Sequence, residues 1–169
     1  MLRILSALIL CALITGCTDE TKHQSEFRGT WFLESRKPAR GDLIQSPQIS
    51  GLIEWFPTDK TRAYVHVSVT NNRESIRIVD GLYDLQGTTF TFQSNLRIGD
   101  IAAEKSDATY ETTLQEGTGQ ISSDDARVTL THDKGARFEF IGTQLTITHP
   151  NGTVDSWKRS KDQKGVLAK

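Results

Sequence analysis

Residues 63–70 read Ala63-Tyr64-Val65-His66-Val67-Ser68-Val69-Thr70, and their alternation decides the fold. Ala63, Val65, Val67 and Val69 fall at every second position, with Tyr64, His66, Ser68 and Thr70 between them. Side chains of a strand point to opposite faces in turn, so this spacing is that of a strand buried on one face. The same period recurs outward along the chain. Phe90 and Phe92 alternate with Thr89 and Thr91, Val128 and Leu130 with Thr129 and Thr131, Phe138 and Phe140 with Arg137 and Glu139, and Leu145 and Ile147 with Thr146 and Thr148. β-Branched residues fill these runs, as a pleated surface favours. No stretch has convincing helical period; the best candidate, residues 101–105, is barely one turn.

Short turn signals separate the runs: Asn71-Asn72, Gln86-Gly87, Asp133-Lys134-Gly135, Gly142-Thr143 and Asn151-Gly152. Asn-Gly is the strongest hairpin signal among them, because both residues tolerate positive φ. Links this short make sequence neighbours pair in space. The expected fold class is therefore all-β, an up-and-down antiparallel β-barrel of about eight to ten strands. Strands are predicted near residues 29–35, 50–57, 61–70, 75–85, 88–94, 106–115, 118–122, 126–132, 135–142, 143–149 and 153–159, with some of these pairs merging into one strand. Closure would remove the two edges that an open meander exposes. Inward parity shifts from Ile76 and Ile78 to Tyr83 and Leu85, which predicts a β-bulge near Asp80-Gly81. Gly117-Thr118-Gly119 reads as a flexible link.

The N-terminal stretch has another character. One charge at Arg3 precedes an apolar run from Ile4 to Ile14 broken only by Ser6, the layout of a secretory signal. The run is about half the roughly 20 residues a spanning helix needs. Ile14-Thr15-Gly16-Cys17 resembles the bacterial lipobox, which implies cleavage before Cys17, lipidation of that cysteine and attachment to a membrane. Several acyl chains, at about 0.8 kcal/mol per buried CH₂, would make the attachment long-lived. The expected organisation is a signal peptide at 1–16, a lipidated Cys17 and flexible tether at 17–26, a barrel domain at 27–160 and a polar tail at 161–169. The chain has two cysteines. Cys11 would leave with the signal, so the mature domain would carry neither a disulfide nor a thiolate site. Thr18 lies where an aspartate tends to retain such proteins in the inner membrane. Its presence leans toward the periplasmic face of an outer membrane in a Gram-negative source. Lys and Arg number 20 against 21 Asp and Glu, and no basic stripe marks a nucleic-acid partner.

Phe27-Arg28-Gly29-Thr30-Trp31 resembles the glycine-x-tryptophan motif that opens the first strand in lipocalin and lipocalin-like (calycin-type) domains. The resemblance implies that Trp31, following Gly29, plugs one barrel end. It also implies that a basic residue after the final strand, Arg159 or Lys158, covers its ring. The two motifs bracket nearly the whole mature domain. The threonine-aspartate-tyrosine motif of lipocalins has only a loose echo in Asp107-Ala108-Thr109-Tyr110, and no long C-terminal helix follows the last strand, so a small bacterial variant of the fold is implied.

Candidate chemistry is sparse. His23, His66, His132 and His149 lack metal-ligand spacing and read as solvated surface histidines; no metal or cofactor is implied. Gly-x-Ser-x-Gly is absent. Ser122-Ser123-Asp124-Asp125 reads as a turn held by side-chain-to-backbone bonds. Acidic residues fall mostly at turns and outward positions, without a convergent polar cluster of the kind an enzyme needs. The aromatics Trp55, Phe90, Phe92, Tyr110, Phe138 and Phe140 are the candidate cavity lining, or else filling of the core. Residues 43–56 are the candidate lid over an open barrel end. The expected function is non-enzymatic binding of a small apolar ligand or envelope protein by a membrane-anchored barrel. A packed-core interaction module, an assembly factor or enzyme inhibitor, is the rival.

Overall fold

The computed structural model describes residues 25–59, 61–71, 75–100, 111–124 and 126–161. Eleven strands follow in chain order: β1 (Gly29–Lys37), β2 (Ile44–Gln45), β3 (Ile49–Pro57), β4 (Arg62–Asn71), β5 (Ser75–Gln86), β6 (Thr89–Asp100), β7 (Glu111–Ser123), β8 (Val128–His132), β9 (Arg137–Ile141), β10 (Gln144–Thr148) and β11 (Val154–Arg159). From β3 to β11 each pairs antiparallel with the next, and β1 pairs with both β3 and β11. Ten strands thus close an up-and-down antiparallel barrel, while β2 pairs with β1 outside the ring. The expected signal, Cys17, most of the expected tether, residues 101–110 with Tyr110 among them, and the residues beyond Lys161 lie outside the described residues.

The wall is uneven. Strands β4 to β7 run 10, 12, 12 and 13 residues, whereas β8 to β11 run 5, 5, 5 and 6. Because β7 pairs with β8 only over Gly119–Ser123, the first half of β7 stands above the low wall. Cross-strand chemistry explains why β7 is continuous through Gly117-Thr118-Gly119, a stretch expected to be a flexible link. Phe90 lies opposite Gly119 and Phe92 opposite Gly117. A Cβ at position 119 would overlap the Phe90 ring and the Thr131 carbonyl oxygen, and one at 117 would lie 2.7 Å from Cε1 of Phe92. These glycines are seats for aromatic rings on the neighbouring strand, a device that pins register.

The predicted bulge at Asp80-Gly81 is absent. The pairing of β5 with β4 runs unshifted from Arg62↔Asp84 to Asn71↔Ser75. Parity therefore extends back from Leu85 and Tyr83 through Gly81 and Val79 to Arg77, and Ile76 and Ile78 face outward. The register shift lies instead in β1, between Leu33 and Ser35 against β11. An extra residue there re-aims the chain: Trp31 and Leu33 point inward before it, Arg36 after it.

Candidate functional site

The barrel interior divides into two ends. At one, large side chains fill the bore. Phe27, Trp31, Trp55, Phe90 and Phe140 are all at most 1 % exposed, with Ile53, Leu85, Leu130 and Leu145 packed among them. A bore of more than eight strands is wider than aliphatic side chains fill easily, and rings do the filling here. Phe140 meets Phe27, Trp31 and Trp55 at centroid distances of 4.7, 5.5 and 6.1 Å, within the range of favourable offset and edge-to-face pairs. Gly29 begins β1 with φ 134°, a conformation that L side chains rarely adopt. The Trp31 indole N–H donates to the Phe27 carbonyl (3.1 Å), and the Arg159 guanidinium lies 4.4 Å from the Trp31 ring centroid. Arg159 also donates to the Glu26 carbonyl. Burial lowers its pKa.

At the other end the bore is hollow. A cavity of about 320 Å³ lies under the tall wall, its apolar surface supplied by Val65, Val67, Val79, Phe92, Phe138 and Trp157. This is at the small end of ligand-pocket volumes, roughly 300–1,000 Å³. Gly51 makes room for Trp157, since a Cβ there would sit 2.9 Å from its Cη2. The rim is polar: the charged Arg36, Arg77, Lys134 and Asp155 line it together with His132 and His149.

Asp155 anchors this rim. It is 1 % exposed, accepts from Nε and Nη2 of Arg36 at 2.6 and 2.7 Å, and pairs with Nε2 of His149 at 2.8 Å. Burial alone would raise its carboxyl pKa, but the bonds from Arg36 and His149 hold it below the ordinary value. Arg77 has no carboxylate within ion-pair distance among the described residues. Its pKa is lowered, first by partial burial and then by the neighbouring Arg36 charge.

His132 corrects the expectation of a solvated histidine. It is 7 % exposed and boxed by Phe90, Phe92 and Phe138 at 4.8–5.0 Å between centroids, with Tyr83 at 5.8 Å. Burial pushes its pKa down to about 4, so the ring is neutral at pH 7. His149 is half-buried and also departs from the solvated reading. His66 is on the outer wall as parity implies, bonded to Asp80 (2.7 Å), which also takes bonds from Tyr64 and Arg97. In the turn after β7, the Asp124 carboxylate accepts from the backbone N–H of Ala126 and Arg127.

Of the candidate lining residues, Phe92 and Phe138 border the cavity, whereas Trp55, Phe90 and Phe140 belong to the packed end. The suggested lid at 43–56 is mostly wall: β2, a three-residue turn and β3, whose Ile49, Ile53 and Trp55 are buried. The acidic residues expected outside include one, Asp155, that points in. The convergent polar group not legible in the sequence gathers at this mouth because three distant segments meet there: β1 with Arg36, β5 with Arg77, and the β8–β11 side with His132, His149 and Asp155. Comparison of the chain with protein-family models, curated proteins and solved structures finds no match.

Proposed function

We propose that this chain is a membrane-anchored envelope lipoprotein whose lipocalin-like barrel binds a small apolar ligand without catalysis. The observation that carries the ligand is the one-ended bore: a barrel plugged by rings at one end, with a cavity of about 320 Å³ at the other. A side-chain-filled interior is what the rival reading needs. The Gly29 and Trp31 motif, with Arg159 over the ring, supports the likeness to lipocalins, and Ile14-Thr15-Gly16-Cys17 supports the anchor. For the rim, both oxygens of Asp155 are committed to Arg36 and His149. That makes the carboxylate a counter-ion rather than a base.

Native mass spectrometry of the chain lacking residues 1–17, purified from its own host, tests the ligand. A co-purified small molecule is expected, and a uniformly empty protein that takes up no apolar probe ends this reading. Palmitate labelling tests the anchor. Label on the full chain and none on Cys17→Ala is expected; equal label on both would end the lipoprotein claim. The alternative, an interaction module acting through an outer face, draws on one row of register partners, Phe56, Tyr64 and Leu82, each 38–43 % exposed on the outer wall. An envelope assembly factor or enzyme inhibitor would use such a face.

A further inference from the structure

The charge around the cavity opposes the charge of the chain. Formal net charge is −1 over the whole sequence, yet Arg36, Arg77 and Lys134 border the cavity with Asp155 as the only carboxylate among its lining residues. Asp155 is bonded through both oxygens to Arg36 and His149, and the Lys134 ammonium donates to the Glu116 carbonyl at 3.1 Å. Neither Arg77 nor Lys134 has a carboxylate within ion-pair distance among the described residues, and of the two Arg77 is the one without a side-chain hydrogen bond there. The Arg77 guanidinium lies at the solvent-exposed mouth, where the Arg36 charge opposes it and the Asp155 charge favours it, and an arriving anion would add to that compensation. Guanidinium groups present paired donors that match a carboxylate.

We propose that the cavity takes an amphipathic monoanion, its apolar body among Val67, Val79, Phe92 and Phe138 and its carboxylate met by Arg77. This deepens, and rests on, the ligand-binding reading above. Size narrows the class. About 320 Å³ corresponds to roughly ten waters at about 30 Å³ each, room for one short acyl chain or an aromatic acid and not for the two chains of a phospholipid. The bulge in β1 is part of the same device: without its extra residue Arg36 would face outward, and Asp155 would lose its partner.

Two naphthylamine probes that differ in charge provide the test. These are the sulfonate 8-anilinonaphthalene-1-sulfonate and neutral N-phenyl-1-naphthylamine, titrated by fluorescence into the chain lacking residues 1–17. The anionic probe is expected to bind about tenfold more tightly, a typical value for one charge-assisted contact. Arg77→Gln should remove that preference and leave the neutral probe unchanged. Dodecanoate should displace the anionic probe, and dodecanol at equal concentration should not. Equal affinity of the two probes in the unaltered protein overturns recognition of the head while leaving the cavity reading intact, and it needs no variant to fold. Displacement by phosphatidylglycerol vesicles but not by dodecanoate overturns the free-acid form. Failure of both probes to bind, or binding indifferent to Val67→Trp, sinks the cavity reading itself.

Discussion

The closed and hollow ends of this barrel are built from the same ten strands, yet different forces hold them. At the closed end, Trp31, Trp55, Phe90 and Phe140 fill the bore by contact, and the Arg159 guanidinium lies over the Trp31 ring. At the hollow end the strands of the low wall stop short. The space between valines and aromatic rings is left open, and an ion pair buried at Asp155 ties β1 to β11 in place of packing. One end derives its stability from the area it removes from water. The other gives up part of that stability and keeps a cavity, the trade that a binding site would require.

Shortening a side chain at each end should expose the difference. Phe140→Ala leaves a void among Phe27, Trp31 and Trp55 and is expected to cost about 4 kcal/mol. Val67→Ala, facing space that is already open, creates little new void and should cost about 1 kcal/mol. Urea unfolding of both variants measures the ratio, and equal costs would mean that the two ends are packed alike. The next largest effect belongs to the hollow end. Asp155→Asn leaves the Arg36 guanidinium beside Arg77 without its counter-charge and should cost about 3 kcal/mol. Because it makes the rim more positive, the same variant should bind 8-anilinonaphthalene-1-sulfonate more tightly per folded molecule. Weaker binding would place Asp155 in the ligand contact itself.

The closed end was far more legible in sequence than the hollow one, for a physical reason. Packing leaves a period: apolar residues at every second position announced β4, β6, β8, β9 and β10 and the inward face of β4, the pairs Leu145/Ile147 and Phe138/Phe140 among them. A cavity leaves no such trace, because its rim mixes charged with apolar residues. Arg77 lay between Ile76 and Ile78, and the two isoleucines looked like the buried pair. Only an unbroken strand counted back from Leu85 and Tyr83 puts Arg77 on the cavity side of the wall, at its exposed mouth. Arg36 faces in through a bulge that one residue pattern cannot reveal, and Asp155 is buried because partners 119 and 6 residues away reach it. His132 did continue the inward parity of Val128 and Leu130, so its burial could have been read from the alternation that named the strand. Gly117 and Gly119 carried a signal too, since each stands opposite a phenylalanine once the hairpin is registered.

His132 lies at the boundary between the two ends and gives a pH test. Its folded pKa is about 4 against an ordinary 6.5, because burial disfavours the imidazolium, with Asp133 opposing weakly. Between those values the unfolded chain binds more protons than the folded one, so stability rises with pH. The loss on going from pH 7 to pH 5 should be about 2 kcal/mol, approaching about 3 kcal/mol near pH 4. Asp155, whose pKa is lowered, adds its own loss only as pH falls into the ordinary carboxylate range and below, so above pH 5 the part of the loss that His132→Gln removes belongs to the histidine. Urea midpoints at pH 7 and pH 5 for the unaltered chain and for His132→Gln check this. A slope that persists in the variant would assign the pH dependence to another group.

The smallest effect is expected at the closed end, where Arg159 lies over Trp31. Arg159→Gln removes a cation–π contact that is worth about 1 kcal/mol at a partly buried site, together with the donor to the Glu26 carbonyl. Trp31 keeps its rings and its bond to Phe27, so the cavity at the far end should be untouched. Unfolding free energy should fall by about that amount while affinity for N-phenyl-1-naphthylamine stays constant. The pairing of the two readouts is what makes the variant informative. A stability loss with unchanged uptake means that the two ends behave as separate structures within one barrel. A loss of uptake as well would mean that the cation over Trp31 sets the spacing of β1 and β11 along their whole length, through Leu33 and Trp157 to the Arg36–Asp155 pair.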